Sequence, residues 1–120
     1  MRVGIDILEI GKIKDLESLL SKIALPGEIE YIKNFKCKEG QAQRTASLWC
    51  VKEAVFKALG LGKDSWVTTK EVELCHEETG RPFVKLYSKA LEQFKKLNLK
   101  EIEISLSHSN TVATAICICK

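Results

Sequence analysis

Several features are scarce in this 120-residue sequence, and each scarcity excludes a class of protein. Two prolines and seven glycines are too few for a collagen-like or proline-rich chain. No apolar run approaches the roughly twenty residues that span a bilayer, so we expect no membrane segment. With 45% hydrophobic and 29% charged residues, the composition is typical of globular rather than disordered proteins. The length predicts one compact domain over residues 1–120.

Disulfide and zinc signals are also missing. The five cysteines are odd in number, and no two of them form a C-x-x-C pair. This spacing indicates neither a disulfide framework nor a zinc site. Free thiols are typical of a reducing compartment, so we expect a cytoplasmic protein.

The charge balance is close to neutral. Nineteen Lys and Arg against sixteen Asp and Glu give a net charge of +3, which suits an acidic or phosphorylated partner. A nucleic-acid-binding domain would need clustered cations with exposed aromatic residues, whereas acidic residues are interspersed here. We therefore expect no nucleic-acid partner.

Hydrophobic periodicity predicts an intermixed series of strands and helices. Alternation predicts strands and a period of 3.6 predicts helices, with Ser88 as a helix cap. The predicted order is strand 3–8, helix 12–23, helix 28–35, helix 41–59, strand 71–74, strand 83–87, helix 88–97, strand 101–106 and strand 111–119. This order indicates an α+β fold with a mostly antiparallel sheet and helices packed on it.

Asp6 is unusual because aspartate is depleted in strands, and this one interrupts an aliphatic segment. Two interpretations are open. Asp6 either points to water from the wet face of a strand, or faces inward for a functional reason.

Two charged residues stand out in the long predicted helix. Glu53 and Lys57 are one turn apart within an apolar arc that includes Trp49 and Phe56. An ordinary i,i+4 ion pair would stabilise the helix by a few tenths of a kcal/mol on a solvated face. The apolar flanks instead predict a buried pair, for which a cation or metal must balance the carboxylate. We therefore favour a functional role for both residues.

Two further features allow a functional or a structural interpretation. His108 continues the inward register of the predicted strand 101–106, so it is either a core residue or part of a site. The run Gly60-Leu61-Gly62-Lys63 offers backbone amides and a lysine that could cradle a phosphate, but it is also a simple helix stop.

These residues form a recognisable set. Gly4-Ile5-Asp6, the segment Lys52-Glu53-Ala54-Val55-Phe56-Lys57-Ala58-Leu59-Gly60 and Ser105-Leu106-Ser107-His108 together resemble the 4′-phosphopantetheinyl transferases. The length and the early Asp are similar to the short, single-domain holo-acyl-carrier-protein synthase group. The resemblance spans nearly the whole chain, and its specificity comes from the combination of the three motifs.

The resemblance implies transfer of the phosphopantetheine arm of coenzyme A to a serine of an apo acyl carrier protein, in support of fatty acid biosynthesis. Asp6 and Glu53 match the family's ligands for Mg²⁺, a cation that prefers carboxylate oxygens. Lys57 matches the motif lysine that stabilises phosphate charge. His108 matches the histidine beside the coenzyme A phosphates.

The same resemblance implies a homotrimer with a site at each subunit interface. Pro82, together with Gly60, Gly62 and Lys63, then belongs to the coenzyme-binding residues. Carrier proteins are acidic, so lysines on the first predicted helix offer a complementary face. These lysines are Lys12, Lys14 and Lys22.

Three points stay open from the sequence. The base could be Glu53, a bound water, or an acidic residue near Glu28 and Glu30. The family commonly has Arg at the position of Leu48 and Phe at that of Trp49, so contacts to the nucleotide are less defined than the metal ligands. The alternative function is a catalytically silent carrier-protein or nucleotide-binding subunit of the same fold.

Overall fold

The structure is a computed structural model that describes residues 1–62 and 65–120. The described elements follow the predicted order. They are β1 (Arg2–Glu9), α1 (Leu16–Ile23), α2 (Pro26–Lys33), α3 (Lys38–Leu59), β2 (Val72–His76), β3 (Pro82–Leu86), α4 (Ser88–Lys96), β4 (Ile102–His108) and β5 (Val112–Cys119). Short 3₁₀ turns at Ile10–Lys12 and Thr69–Glu71 complete the α+β fold.

The described strands form two antiparallel sheets. The larger sheet has the order β1-β5-β4, and β2 pairs with β3 as a hairpin. The inner face of the central strand carries only small buried side chains, which leaves room for a helix to lie close to the sheet. These are Ala113, Ala115, Cys117 and Cys119.

Helix α3 packs across this face and forms the centre of the molecule. Val51, Ala54, Val55 and Leu59 are buried within the main core cluster. The prediction of a helix enclosed by protein is confirmed for this segment. Its apolar faces meet the sheet on one side and the remaining helices and hairpin on the other.

Gly4 allows β1 to lie directly against α3. A Cβ atom at this position would be 1.9 Å from the carbonyl oxygen of Ala54 and 2.6 Å from the amide nitrogen of Ala58. Both neighbours are main-chain atoms of a helix and have little freedom to move. The glycine two residues before Asp6 therefore sets the distance between strand and helix at that level.

Some predicted boundaries were wrong, for local reasons. The first helix begins at Leu16 rather than residue 12, because the Asp15 side chain caps it by accepting a hydrogen bond from the amide of Ser18. Ser88 does not cap α4. Instead, Glu71 Oε1 accepts hydrogen bonds from the amides of Lys89 and Ala90 at 2.7 and 3.2 Å.

The outer face of β1, at the edge of the larger sheet, is apolar and open. Val3, Ile5 and Ile7 are 51%, 59% and 67% exposed. In the described part of the chain, no helix is long and apolar enough to cross a membrane.

Candidate active site

Asp6 lies on the inner face of β1, toward α3. Its strand partner is Ala115, which is buried, and only 16% of the Asp6 side chain is exposed. The interpretation in which Asp6 points to water is therefore wrong. The alternation places the flanking isoleucines outside and the carboxylate inside.

Lys57 reaches from α3 to β1 and holds this carboxylate. Its ammonium donates hydrogen bonds to Asp6 Oδ1 at 3.0 Å and to the carbonyl oxygen of Ile5 at 2.9 Å. The prediction of a buried lysine is wrong, because 53% of the Lys57 side chain is exposed. Strand β1 is an edge strand, so a side chain that reaches over it remains open to solvent.

Glu53 is half-buried, one turn before Lys57 on α3. The negative charge of Glu53 acts on the neighbouring thiol of Cys50, and the pKa of that thiol is raised to about 12. Burial is the main cause, and the carboxylates of Asp6 and Glu53 raise the pKa further while Lys57 lowers it. The three predicted residues thus act electrostatically on one buried thiol.

The donor set fits magnesium. Among the described residues, no group of three or more His, Cys, Asp or Glu side chains could hold a metal ion. Two carboxylates are nevertheless enough for Mg²⁺, which commonly keeps several waters and binds substrate phosphates directly. Asp6 and Glu53 supply the hard oxygen atoms that this ion prefers.

The end of α3 is tied down by its own hydrogen bonds. Gly60 has φ 70°, and its amide donates to the carbonyl oxygen of Lys57 while that of Leu61 donates to Phe56. These two amides cap the C-terminal end of α3. Gly62 is exposed, and Lys63 lies outside the described residues. A phosphate contact from this run stays a prediction.

A cavity of about 240 Å³ lies near the end of β4, and among the described residues that line it are neither Asp6 nor Glu53. It opens between α2, α3, the β2–β3 hairpin and the end of β4, and both Pro82 and His108 line it. Leu106, another lining residue, shares a cross-strand row with Ala115 and Asp6. Two strand spacings therefore separate Asp6 from the cavity wall, about 10 Å on the same face of the sheet.

His108 is exposed at the mouth of this cavity. Inward alternation holds for Ile102, Ile104 and Leu106 but ends at the histidine. The interpretation of His108 as a core residue is therefore wrong. Its Nε2 atom lies 3.3 Å from a guanidinium nitrogen of Arg44.

One cavity wall consists of aromatic rings. Tyr31 stacks on His76 with ring centres 4.2 Å apart and planes at 17°, and it meets Phe35 edge to face at 5.5 Å. Burial lowers the pKa of His76, so the ring is neutral near pH 7. The sequence analysis missed Tyr31 and His76, because their pairing is purely tertiary.

Behind this wall is a buried ion pair that was also missed. Lys52, fully buried, donates to Glu28 Oε1 at 2.8 Å, to the carbonyl oxygen of Ile23 at 2.8 Å and to that of Thr69 at 2.9 Å. Burial lowers the pKa of Lys52, and its hydrogen bond with Glu28 opposes that shift. The feature of the sequence that could have indicated a role for Lys52 is its position next to Glu53 in the same motif.

Both carboxylate oxygens of Glu28 are held by hydrogen bonds. Its Oε1 atom also accepts from the amide of Leu25, and Oε2 accepts from the amide of Leu74 at 2.6 Å. Because Lys52 and two main-chain amides engage both of its oxygens, Glu28 is a structural carboxylate. Among the earlier alternatives for a base, it can be set aside.

Comparison with known proteins is consistent with this geometry. The sequence pattern of the 4′-phosphopantetheinyl transferase superfamily matches residues 2–117. The chain belongs to the 4′-phosphopantetheinyl transferase superfamily.

Individual members of the superfamily narrow the assignment. The chain is 33% identical to a holo-[acyl-carrier-protein] synthase of Syntrophus aciditrophicus, covering 96% of this chain and 91% of the relative. It is 35% identical to that of Caldicellulosiruptor bescii, covering 97% and 94%. A crystal structure of the Bacillus anthracis synthase in complex with CoA (3′,5′-ADP) has a TM-score of 0.81 at 25% identity, covering 98% and 94%. Within the superfamily, this transferase is an enzyme of the holo-[acyl-carrier-protein] synthase type.

Proposed function

We propose that this transferase moves the 4′-phosphopantetheine group of coenzyme A to a serine of an apo acyl carrier protein and releases adenosine 3′,5′-bisphosphate. The reaction serves fatty acid biosynthesis in the cytoplasm. The observation that carries the proposal is the contact of Lys57 with Asp6 at 3.0 Å. This contact joins the N-terminal motif that contains Asp6 to the helical motif that contains Lys57, one helical turn from Glu53.

Magnesium is the cofactor in this proposal, with Asp6 and Glu53 as its protein ligands. When bound, it neutralises charge on the pyrophosphate of coenzyme A. Lys57 holds Asp6 in place, and its exposed ammonium can approach the phosphates from the solvent side. The attacking hydroxyl belongs to the carrier protein, so this chain needs no nucleophile of its own.

The cavity is the proposed site for the nucleotide part of coenzyme A. The Bacillus anthracis synthase was solved in complex with CoA (3′,5′-ADP), and the neighbouring cavity here has one face of stacked rings. His108 and Pro82 lie at its edge. With the cavity about 10 Å from Asp6, a nucleotide seated there places its pyrophosphate toward the carboxylates.

A groove next to β1 is the proposed contact for the carrier protein. Leu8, Ile13, Leu19 and Trp49 provide its apolar floor, and Lys12 and Lys14 line it as well. An acidic helix with an apolar face complements such a surface. Trp49, which replaces the usual Phe, therefore belongs to the partner side rather than to the nucleotide cavity.

The outer sheet face supports a homotrimer. The exposed side chains of Val3, Ile5 and Ile7 form an apolar strip on an edge strand, and burying it between subunits would be favourable. A trimer also allows the hairpin residue Pro82 to serve a neighbouring site. Light scattering of the purified protein tests this directly, and Ile5→Lys should shift the mass toward the monomer.

Mass spectrometry of a carrier protein tests the reaction. An apo acyl carrier protein incubated with the enzyme, coenzyme A and Mg²⁺ should gain about 340 Da on its acceptor serine. A carrier with that serine replaced by alanine is the matched control. Binding of coenzyme A without modification of several carriers would instead support the silent-subunit alternative.

A further inference from the structure

The last turn of α3 carries Lys57 and ends in four main-chain carbonyl groups that have no hydrogen-bond partner within the helix itself. The cap that begins at Gly60 accounts for two of these groups. The other two belong to Ala58 and Leu59, which are 1% and 0% exposed. Because carbonyl groups this far from water need hydrogen bonds, their donors must come from elsewhere in the chain.

Two distant side chains supply these donors. Arg2 Nε, on β1, donates to the carbonyl oxygen of Ala58 at 2.6 Å, and Gln93 Nε2, on α4, donates to that of Leu59 at 2.9 Å. The positive charge of Arg2 also suits a helix C-terminus, where the carbonyl groups concentrate negative charge. All four terminal carbonyl groups of α3 therefore have a partner, and two of them are held from outside the helix.

Arg2 and Lys57 connect the same strand to the same helical turn in opposite directions. Arg2 shares the inner face of β1 with Asp6, and a Cβ atom built on Gly60 would lie 2.9 Å from its Nη2 atom. Lys57 reaches back from α3 to Oδ1 of Asp6. Ala58, the acceptor for Arg2, directly follows Lys57 in the chain. The hydrogen bond from Arg2 thus fixes the main chain from which the Lys57 side chain extends.

We propose that Arg2 and Gln93 are positioning residues for Lys57, because they hold the last turn of α3 and so place the Lys57 ammonium at Asp6. This inference rests on the proposed function, in which Lys57 acts on the phosphates of coenzyme A. Packing alone does not fix the Lys57 side chain, since 53% of it is exposed. Its position depends on the helix end, and a displacement of about 1 Å at a catalytic group can cost about 10²-fold in rate.

Steady-state kinetics with an apo acyl carrier protein, coenzyme A and Mg²⁺ test the assignment. Arg2→Met removes the donor and should lower kcat by about 3- to 10-fold, while KM for both substrates stays within about twofold. Arg2→Lys should restore most of kcat, since an ammonium can also donate to the carbonyl oxygen of Ala58. Gln93→Met removes the other donor and should lower kcat as well.

A double-mutant cycle separates positioning from a general structural role. If Arg2 acts through Lys57, its loss has no further effect on kcat once Lys57 is replaced. Arg2→Met/Lys57→Met should then have a kcat within about twofold of that of Lys57→Met. If the two effects multiply, or if Arg2→Met keeps the kcat of wild type, the assignment is wrong while the proposed reaction stands. If wild type modifies no carrier protein, the proposed function fails, and this inference fails with it.

Amide hydrogen exchange tests the same contact without substrates. Arg2→Met should speed exchange of the Gly60 amide by about tenfold, the change expected for loss of one hydrogen bond, and leave that of Val51 in the middle of α3 unchanged. Lys120→Met is the matched control. It removes a positive charge from an exposed side chain next to Cys119, the strand partner of Arg2, and should change neither exchange nor kcat. Unchanged exchange at Gly60 in Arg2→Met would show that this contact does not hold the end of α3.

Discussion

The ammonium of Lys52 lies 2.8 Å from the carboxylate of Glu28, and their side chains are 0% and 2% exposed. The same ammonium binds the carbonyl oxygens of Ile23 and Thr69. One buried cation therefore fastens the end of α1, the first turn of α2 and the segment before β2 to the helix that carries Glu53.

Loss of Lys52 should be costly. Lys52→Met removes the cation but leaves the Glu28 carboxylate buried, so we expect the free energy of unfolding to fall by about 3–5 kcal/mol. Urea denaturation measures this change. Lys120→Met is the control, because Lys120 pairs with Glu101 at 3.6 Å with both side chains more than 60% exposed, and should cost no more than about 1 kcal/mol.

The double variant Glu28→Leu/Lys52→Met separates charge from packing. Replacing both partners by apolar side chains removes the unpaired charge and should recover part of the lost stability. A loss below about 1 kcal/mol for Lys52→Met alone would contradict the role assigned to the pair.

Gly4 should tolerate no side chain. Gly4→Ala places a methyl group on main-chain atoms of Ala54 and Ala58, so β1 must move away from α3. Overpacking of this kind costs about 1–3 kcal/mol or more, and Asp6, two residues on, moves with the strand. We expect lower thermal stability together with lower kcat.

Gly11→Ala is the control for that experiment, because nothing lies within 4 Å of a Cβ atom built there. It should leave stability within about 1 kcal/mol and activity unchanged. Equal stability and turnover for both alanine variants would show that strand and helix are not held at contact distance.

Element order followed from periodicity because each element has one dominant face. The exposure of individual side chains could not be predicted in the same way, because it depends on which element packs against each face of a helix or strand. The side chain of Lys57 is exposed because β1 is the sheet edge, a property of strand order. From the sequence alone, Lys52 resembles an ordinary surface lysine, because its burial depends on how the surrounding elements pack.

The cavity wall had no sequence signature at all. Tyr31 and His76 are 45 residues apart and stack only because α2 packs beside the hairpin. The cap of α4 is similar, since Glu71 supplies it from outside the helix. By contrast, Asp6 and Glu53 stood out in sequence because each places charge in an apolar setting.

Stability should fall at acid pH through His76. Burial holds the pKa of His76 below its usual 6.5, so the unfolded chain binds a proton first as the pH drops. The contribution is complete above pH 6.5 and is lost as the pH falls toward the lower folded value. Between pH 7.5 and 5.5, the thermal midpoint of wild type should fall more than that of His76→Phe.

The other histidine provides the comparison. His108→Gln alters an exposed ring and should keep the acid sensitivity of wild type. If His76→Phe loses stability with falling pH as steeply as wild type does, groups other than His76 cause the effect.

His108 should affect substrate use more than folding. Because the ring is exposed, His108→Ala leaves no buried cavity, and we expect a nearly unchanged thermal midpoint. Its place at the cavity mouth predicts a higher KM for coenzyme A. A large drop in the midpoint with normal turnover of the remaining folded enzyme would contradict a binding role.

Glu53 and Lys57 should differ in their dependence on magnesium. Glu53→Gln exchanges an anionic ligand for a neutral amide, so turnover should require more Mg²⁺. Lys57→Met should instead lower kcat by about 10²-fold or more, and its Mg²⁺ requirement should change less than that of Glu53→Gln, because both anionic ligands remain. Rates measured against Mg²⁺ concentration distinguish the two, with Lys38→Met as a control for charge loss on the same helix. If both curves stay close to wild type, the residues only stabilise the helix, and the proposed catalytic site is wrong.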